Sequence, residues 1–220
     1  MVHIKKYRWQ RKRGMKMNIS NQERNDNNNN LHEQIKDLET ILFASTLIKE
    51  TLHRANTAGI KNYYIGAGCI AQTVWNYQFQ KPLEYGIKDI DFVYYDNQSL
   101  DYEAEDQIIN KLKELYKDFP VDIDVKNQAR VHLWYRDRFG YEIEPYDSLE
   151  SAINTWPTTA TAIGVKLGRD NIFEVYAPYG LSDLFHKIVR PNKVQITENV
   201  YNNKVSAWLK KWPELTVVPW

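Results

Sequence analysis

The sequence predicts an α/β (α+β) fold, a small mixed β-sheet flanked by helices. Three observations carry this. Stretches with helix period and stretches with strand period alternate from residue 31 to residue 125. A short apolar strand runs through Gly66-Ala67-Gly68 directly into a helix. Two further strands carry aspartates at alternate positions, Asp89 with Asp91 and Asp122 with Asp124. The predicted order is α-β-α-β-α-β, followed by α, a β-hairpin and α, which suits helices packed on one sheet.

Residues 1–30 read as a disordered leader. They are basic from His3 to Lys16 and rich in Asn towards Asn30. Neither half can bury enough apolar surface to offset its ordering entropy. Residues 31–220 read as a single domain of ordinary size. Leu31 to Ala58 reads as one helix, because Leu31, Ile35, Leu38 and Leu42 fall on one face and Ile48 and Leu52 extend it. Gly59 closes that helix.

Tyr63 to Ile65 is the first strand, and Cys69 to Phe79 the helix after the glycine turn. Ile87 to Tyr95 is the second strand. Asp101 to Phe119 is an amphipathic helix with Ile108, Leu112 and Leu115 on its apolar side. Val121 to Val125 alternates strictly and is a third strand. Ala129 to Phe139 reads as a helix, and Asp147-Ser148-Leu149-Glu150 as a capping box for a short one. Thr158 to Leu167 and Ile172 to Tyr176 read as a hairpin joined at Gly168 to Asn171. Leu181 to Val189 and Asn199 to Lys211 are the closing helices.

Composition excludes several classes of function. Lys and Arg number 29 against 28 acidic residues, so no overall field recruits nucleic acid or an anionic membrane. The lone cysteine, Cys69, allows no intrachain disulfide and no thiolate cage, and fits a reducing cytoplasm. No apolar run approaches the roughly 20 residues that span a bilayer. The charged N-terminus lacks the apolar region of a secretory signal.

Alternate residues of a strand share a face, so Asp89 and Asp91 project together. Paired carboxylates repel unless a cation lies between them, and Mg²⁺ accepts such oxygens while keeping room for phosphate. The glycine turn permits close backbone approach, and the helix it opens presents free N–H groups to an anion. A phosphate cradle beside a carboxylate pair suits a metal-dependent enzyme acting on a nucleoside triphosphate. Arg130 opens the helix after the third strand and is the candidate phosphate-neutralising cation. Asn127 and Gln128 are candidates for reading a base or ribose.

A rival reading exists. Gly66-x-Gly68-x-x-Ala71, with Asp89 about 20 residues on, matches the dinucleotide-binding fingerprint of an oxidoreductase. It leaves Asp91 and the second aspartate pair unexplained.

Taken together, Gly66-Ala67-Gly68 and Asp89-Ile90-Asp91 resemble the DNA polymerase β-type nucleotidyltransferase superfamily. Ile65-Gly66-Ala67-Gly68, Asp89 to Asp96, Val125 to Tyr135, Trp156 to Ala162 and Tyr176 to Leu181 are similar to a bacterial nucleotidyltransferase-like branch of it. The turn departs from the superfamily's usual Gly-Gly or Gly-Ser. The resemblance implies the nucleotidyltransferase fold, Gly66 and Gly68 as phosphate-binding, and Asp89 and Asp91 as ligands of Mg²⁺ or Mn²⁺. It also implies a third carboxylate on the next strand, here Asp124 in preference to Asp122. The expected activity is transfer of a nucleoside monophosphate from an NTP to a hydroxyl of a small molecule, an RNA end or a protein. The alternative within the same fold is an inactive nucleotide-binding or regulatory module.

Overall fold

The computed structural model describes residues 6–8 and 22–220, with side chains from Asn30 onward. Of the predicted leader, residues 6–8 form β1 (Lys6–Arg8) and residues 22–30 belong to α1 (Gln22–Ala44). The remainder of the leader lies outside the described residues. There follow α2 (Thr46–Thr57), β2 (Tyr63–Gly66), α3 (Gly68–Gln78), β3 (Asp89–Tyr94), α4 (Tyr102–Leu115) and β4 (Asp122–Asn127). Then come α5 (Val131–Phe139), α6 (Leu149–Ile153), β5 (Gly164–Leu167), β6 (Phe173–Tyr176) and α7 (Ser182–Phe185). The chain closes with β7 (Ile188–Val189), α8 (Glu198–Leu209) and β8 (Thr216–Val217).

The main sheet runs β1-β6-β5-β2-β3-β4, with β3 and β4 parallel and every other pair antiparallel. The predicted mixed α/β architecture is therefore present. One face packs on α1, α2 and α3 through Ile65, Ile90, Phe92 and Val165, with Tyr63 stacked on Phe92 at 5.1 Å. On the opposite face Tyr64, Val93 and Tyr176 pack against Leu149 and Ile153 of α6. Beyond the reach of α6, the part of that face holding Asp89 and Asp91 floors a cleft.

Four elements differ from the sequence reading, each for a local reason. The predicted helix over 31–58 is two, broken at Ser45, which caps α2 by accepting from the Ile48 N–H at 3.3 Å. The apolar stripe continues in phase across the break, so periodicity alone does not reveal it. Thr158 to Ile163 is a folded turn, not strand. The Ala162 N–H reaches the Thr158 carbonyl at 2.9 Å, and the two hydroxyls of Thr158 and Thr161 bond each other at 2.8 Å. The α6 cap sits one residue later than predicted, with Ser148 and Ser151 forming the reciprocal box. Finally, the predicted helix over 181–189 stops at Phe185, with Lys187 at φ 58° turning the chain into β7.

Candidate active site

Parallel pairing sets Asp91 beside Asp124 and Asp89 beside Asp122. Asp89, Asp91 and Asp124 line a cleft of about 470 Å³, whereas Asp122 does not. Burial is the main cause that pushes the Asp91 carboxyl up to about 6, and the like charges of Asp124 and Asp89 add to it. Lys126 and Lys204 oppose the rise. Lys126 is ion-paired to Asp124. Among the described residues no group of three or more His, Cys, Asp or Glu side chains is drawn together closely enough to hold an ion. The donor set nonetheless suits a hard cation. All three groups are carboxylates on one face, and Asp91 carries an uncompensated charge cost that a cation would remove.

The glycine turn divides its labour unexpectedly. Gly66 is buried at the end of β2 and is not part of the cleft lining. A Cβ there would lie 2.7 Å from the Trp156 ring and 2.8 Å from the Ile163 carbonyl oxygen. Its bareness serves the packing of Trp156. Ala67 and Gly68 line the cleft. Ala67, rather than either glycine, holds the left-handed φ of 56° and sends its N–H to the Ile163 carbonyl at 3.0 Å. A conformation of that kind costs about 1–3 kcal/mol for a residue with a side chain. The first N–H groups of α3 have no partner within the helix, and the helix starts at the cleft, which Ala67 and Gly68 line.

A measurable contrast follows. Gly66→Ala should destabilise the protein by about 1–3 kcal/mol or more through overpacking. Gly68→Ala should be near neutral, because its Cβ would meet only the flexible end of Gln72, at 3.0 Å. Thermal unfolding of the two variants checks this, and equal losses would contradict it.

Arg130 is not brought to the cleft. Its guanidinium is ion-paired to Glu105, its Nε donates to the Leu100 carbonyl at 2.9 Å, and it lies over the Tyr102 ring. The short 3₁₀ turn Gln128–Arg130 rotates it away from the face that the aspartates occupy. Arg130 thus ties α4 to the end of β4, away from the cleft in which the sequence reading sets a phosphate.

The cations at the cleft are Lys126, Arg138 and Lys204. Lys204 escapes sequence reasoning because it comes from α8, the penultimate element of the chain. Val200, Lys204 and Trp208 recur every four residues and form the cleft face of that helix. Trp208 and Trp212 pack edge-on to Trp75 at 5.6 and 5.8 Å, and the Trp212 Nε1–H donates to Asn76 at 2.8 Å. These contacts dock α8 on α3 and hold Lys204 over the carboxylates. The far wall is aromatic and polar. Tyr146 donates to Gln195 at 3.0 Å and exchanges a bond with Thr155 at 2.9 Å, which fixes both loops around Trp156. Gln72 contributes a buried side-chain oxygen beside the glycine turn that has no hydrogen-bond partner among the described residues.

The Gly-x-Gly turn does not belong to a dinucleotide-binding unit. That motif needs parallel strands on either side of its helix, and β2 and β3 are antiparallel.

A family model and one solved structure agree with this fold. A nucleotidyltransferase family model matches residues 53–217. A solved NMR structure, described as revealing a CCA-adding enzyme head domain, is 28% identical, with a TM-score of 0.67 over 83% of this chain and 96% of that one. A tRNA-processing enzyme in its apo form superposes with a TM-score of 0.41 at 14% identity, over 86% of this chain and 44% of the other. The search of curated proteins found no match. Among the described residues no helix is long and apolar enough to cross a membrane. The match spans residues 53–217, the stretch that contains the glycine turn and both aspartate pairs, and the chain belongs to the nucleotidyltransferase family.

Proposed function

We propose that the cleft transfers a nucleoside monophosphate from an NTP to an acceptor hydroxyl. The observation that carries this reading is the carboxylate row of Asp89, Asp91 and Asp124 facing a helix start across one cleft. Asp89, Asp91 and Asp124 would hold divalent metal, Mg²⁺ or Mn²⁺. When bound, the metal would neutralise phosphate charge and polarise the reacting oxygens. The N–H groups at the start of α3 and the side chains of Lys204 and Lys126 would bind and orient the triphosphate. The aromatic wall around Trp156 would exclude water from the α-phosphorus. A bond forms from the acceptor oxygen to the α-phosphorus, the bond to the bridging oxygen of pyrophosphate breaks, and the hydroxyl proton leaves to a carboxylate. Asp124, whose side chain is 39% exposed, is the candidate for that proton. The acceptor belongs to one of three classes: small molecule, RNA end or protein side chain.

The test uses one NTP labelled at the α-phosphate and another at the γ-phosphate, with Mg²⁺ and fractionated acceptors. Transfer of the α label to an acceptor with the γ label released as pyrophosphate is expected. Release of the γ label as inorganic phosphate would contradict the proposal. In the same assay Asp124→Ala should lose at least about 100-fold, while Asp122→Ala, outside the cleft, should stay within about threefold of wild type. Equal losses would sink the choice of Asp124.

A further inference from the structure

We infer that Gln128 reads the hydrogen-bonding edge of the nucleobase in this cleft, which deepens the function proposed above and rests on it. Gln128 is only 5% exposed yet lines the cleft. Among the described residues nothing hydrogen-bonds its side-chain amide, and neither amide atom is among the fully buried unpartnered ones, so the amide meets the cleft. A neighbour shows the contrast. Asn127, equally buried, accepts from the Asp96 and Ala129 N–H groups at 3.0 and 3.1 Å and donates to the Asp96 carbonyl at 2.7 Å. Those bonds fix the backbone at the end of β4 and so hold Gln128 in place with its amide unspent.

The chemistry around Gln128 selects a base rather than a phosphate. An amide presents a donor and an acceptor side by side and carries no charge, which complements the paired donor and acceptor of a base edge. Asp124 and Lys126 of β4, Gln128 at the start of the 3₁₀ turn, and Trp134 and Tyr135 of α5 all line the same cleft. The order along the chain is carboxylate, cation, amide, aromatic ring. That is the order in which a nucleotide presents metal-bound phosphate, sugar and base. The three strand steps from Asp124 to Asn127 alone span roughly 10 Å, enough to separate the phosphate end from the base end.

The experiment compares wild type and Gln128→Leu in Mg²⁺ by calorimetric titration with each of the four common NTPs and with tripolyphosphate, which has no base. The expected result is a loss of about 10- to 100-fold for the preferred NTP, collapse of the preference among NTPs, and tripolyphosphate affinity within about twofold of wild type. A triphosphate whose base lacks its exocyclic group should lose a similar factor on wild type and little more on the variant. The melting temperature of the ligand-free variant should stay level or rise, since the amide has no protein partner to lose. Unchanged NTP affinity, equal losses for NTP and tripolyphosphate, or a fall of several degrees in the ligand-free melting temperature would each overturn the inference while leaving the function standing. Failure of wild type to bind any NTP would overturn both.

Discussion

Asp91→Asn should be both inactive and more stable than the wild type. The loss of nucleotidyl transfer should reach about 10³-fold or more, because a metal-holding carboxylate supplies several kcal/mol of the barrier reduction. The gain in stability follows from linkage. Burial, then Asp124 and Asp89, raise the Asp91 carboxyl from 3.8 to about 6. The folded state therefore holds this proton more tightly than the unfolded chain does. Its contribution to stability is complete below about pH 4 and is lost as pH rises through about 6. At pH 8 the ionised group costs the metal-free fold up to about 3 kcal/mol. Asparagine imitates the protonated acid and removes that cost. Unfolding in EDTA at pH 8 should show Asp91→Asn melting roughly 2–10 °C above wild type, with the gap closing at pH 4. A variant that keeps activity, or melts lower at pH 8, would contradict this.

Arg130→Met should lose stability without losing nucleotide. The Arg130 and Glu105 side chains are 10% and 11% exposed. The other Glu105 oxygen accepts the Asn127 N–H at 2.8 Å. Removing the guanidinium strands the carboxylate in the interior, which costs about 3–5 kcal/mol. Denaturant unfolding measures the loss, and adding Glu105→Gln should recover a large part of it. At a temperature where the variant remains folded, NTP affinity should stay within about threefold of wild type. An intact fold with lost affinity would return Arg130 to the phosphate site.

The carboxylate row was legible in the sequence because a strand has period two. Asp89, Asp91 and Asp124 alternate with Ile90, Phe92 and Val125, and burial of the second set settles the direction of the first. Arg130 looked like a cleft residue because it also lies an even number of residues beyond Asp124. The 3₁₀ turn breaks that period after Asn127, and nothing in the local sequence announces the break. Gly66 looked like a phosphate residue because glycine before a helix has two physical uses. Only the position of Trp156, 90 residues away, distinguishes them. Lys204 was invisible for the same reason. Its helix face is set by Trp208 and Trp212 docking on Trp75, and amphipathic spacing names an apolar face without naming what lies opposite. Gln128 was legible only as a candidate, since a missing hydrogen-bond partner is a property of the fold.

The measurement that bears most directly on the site is thermal unfolding of the wild type and Asp91→Asn against ATP, CTP, GTP, UTP and NAD, in Mg²⁺ and in EDTA. A ligand at about 100 times its Kd adds roughly 2.7 kcal/mol. The expected result is a rise in melting temperature of the wild type with at least one triphosphate in Mg²⁺, absent in EDTA and absent in Asp91→Asn. A shift that survives EDTA, that Asp91→Asn retains, or that NAD alone produces would contradict a metal-dependent triphosphate site at these carboxylates.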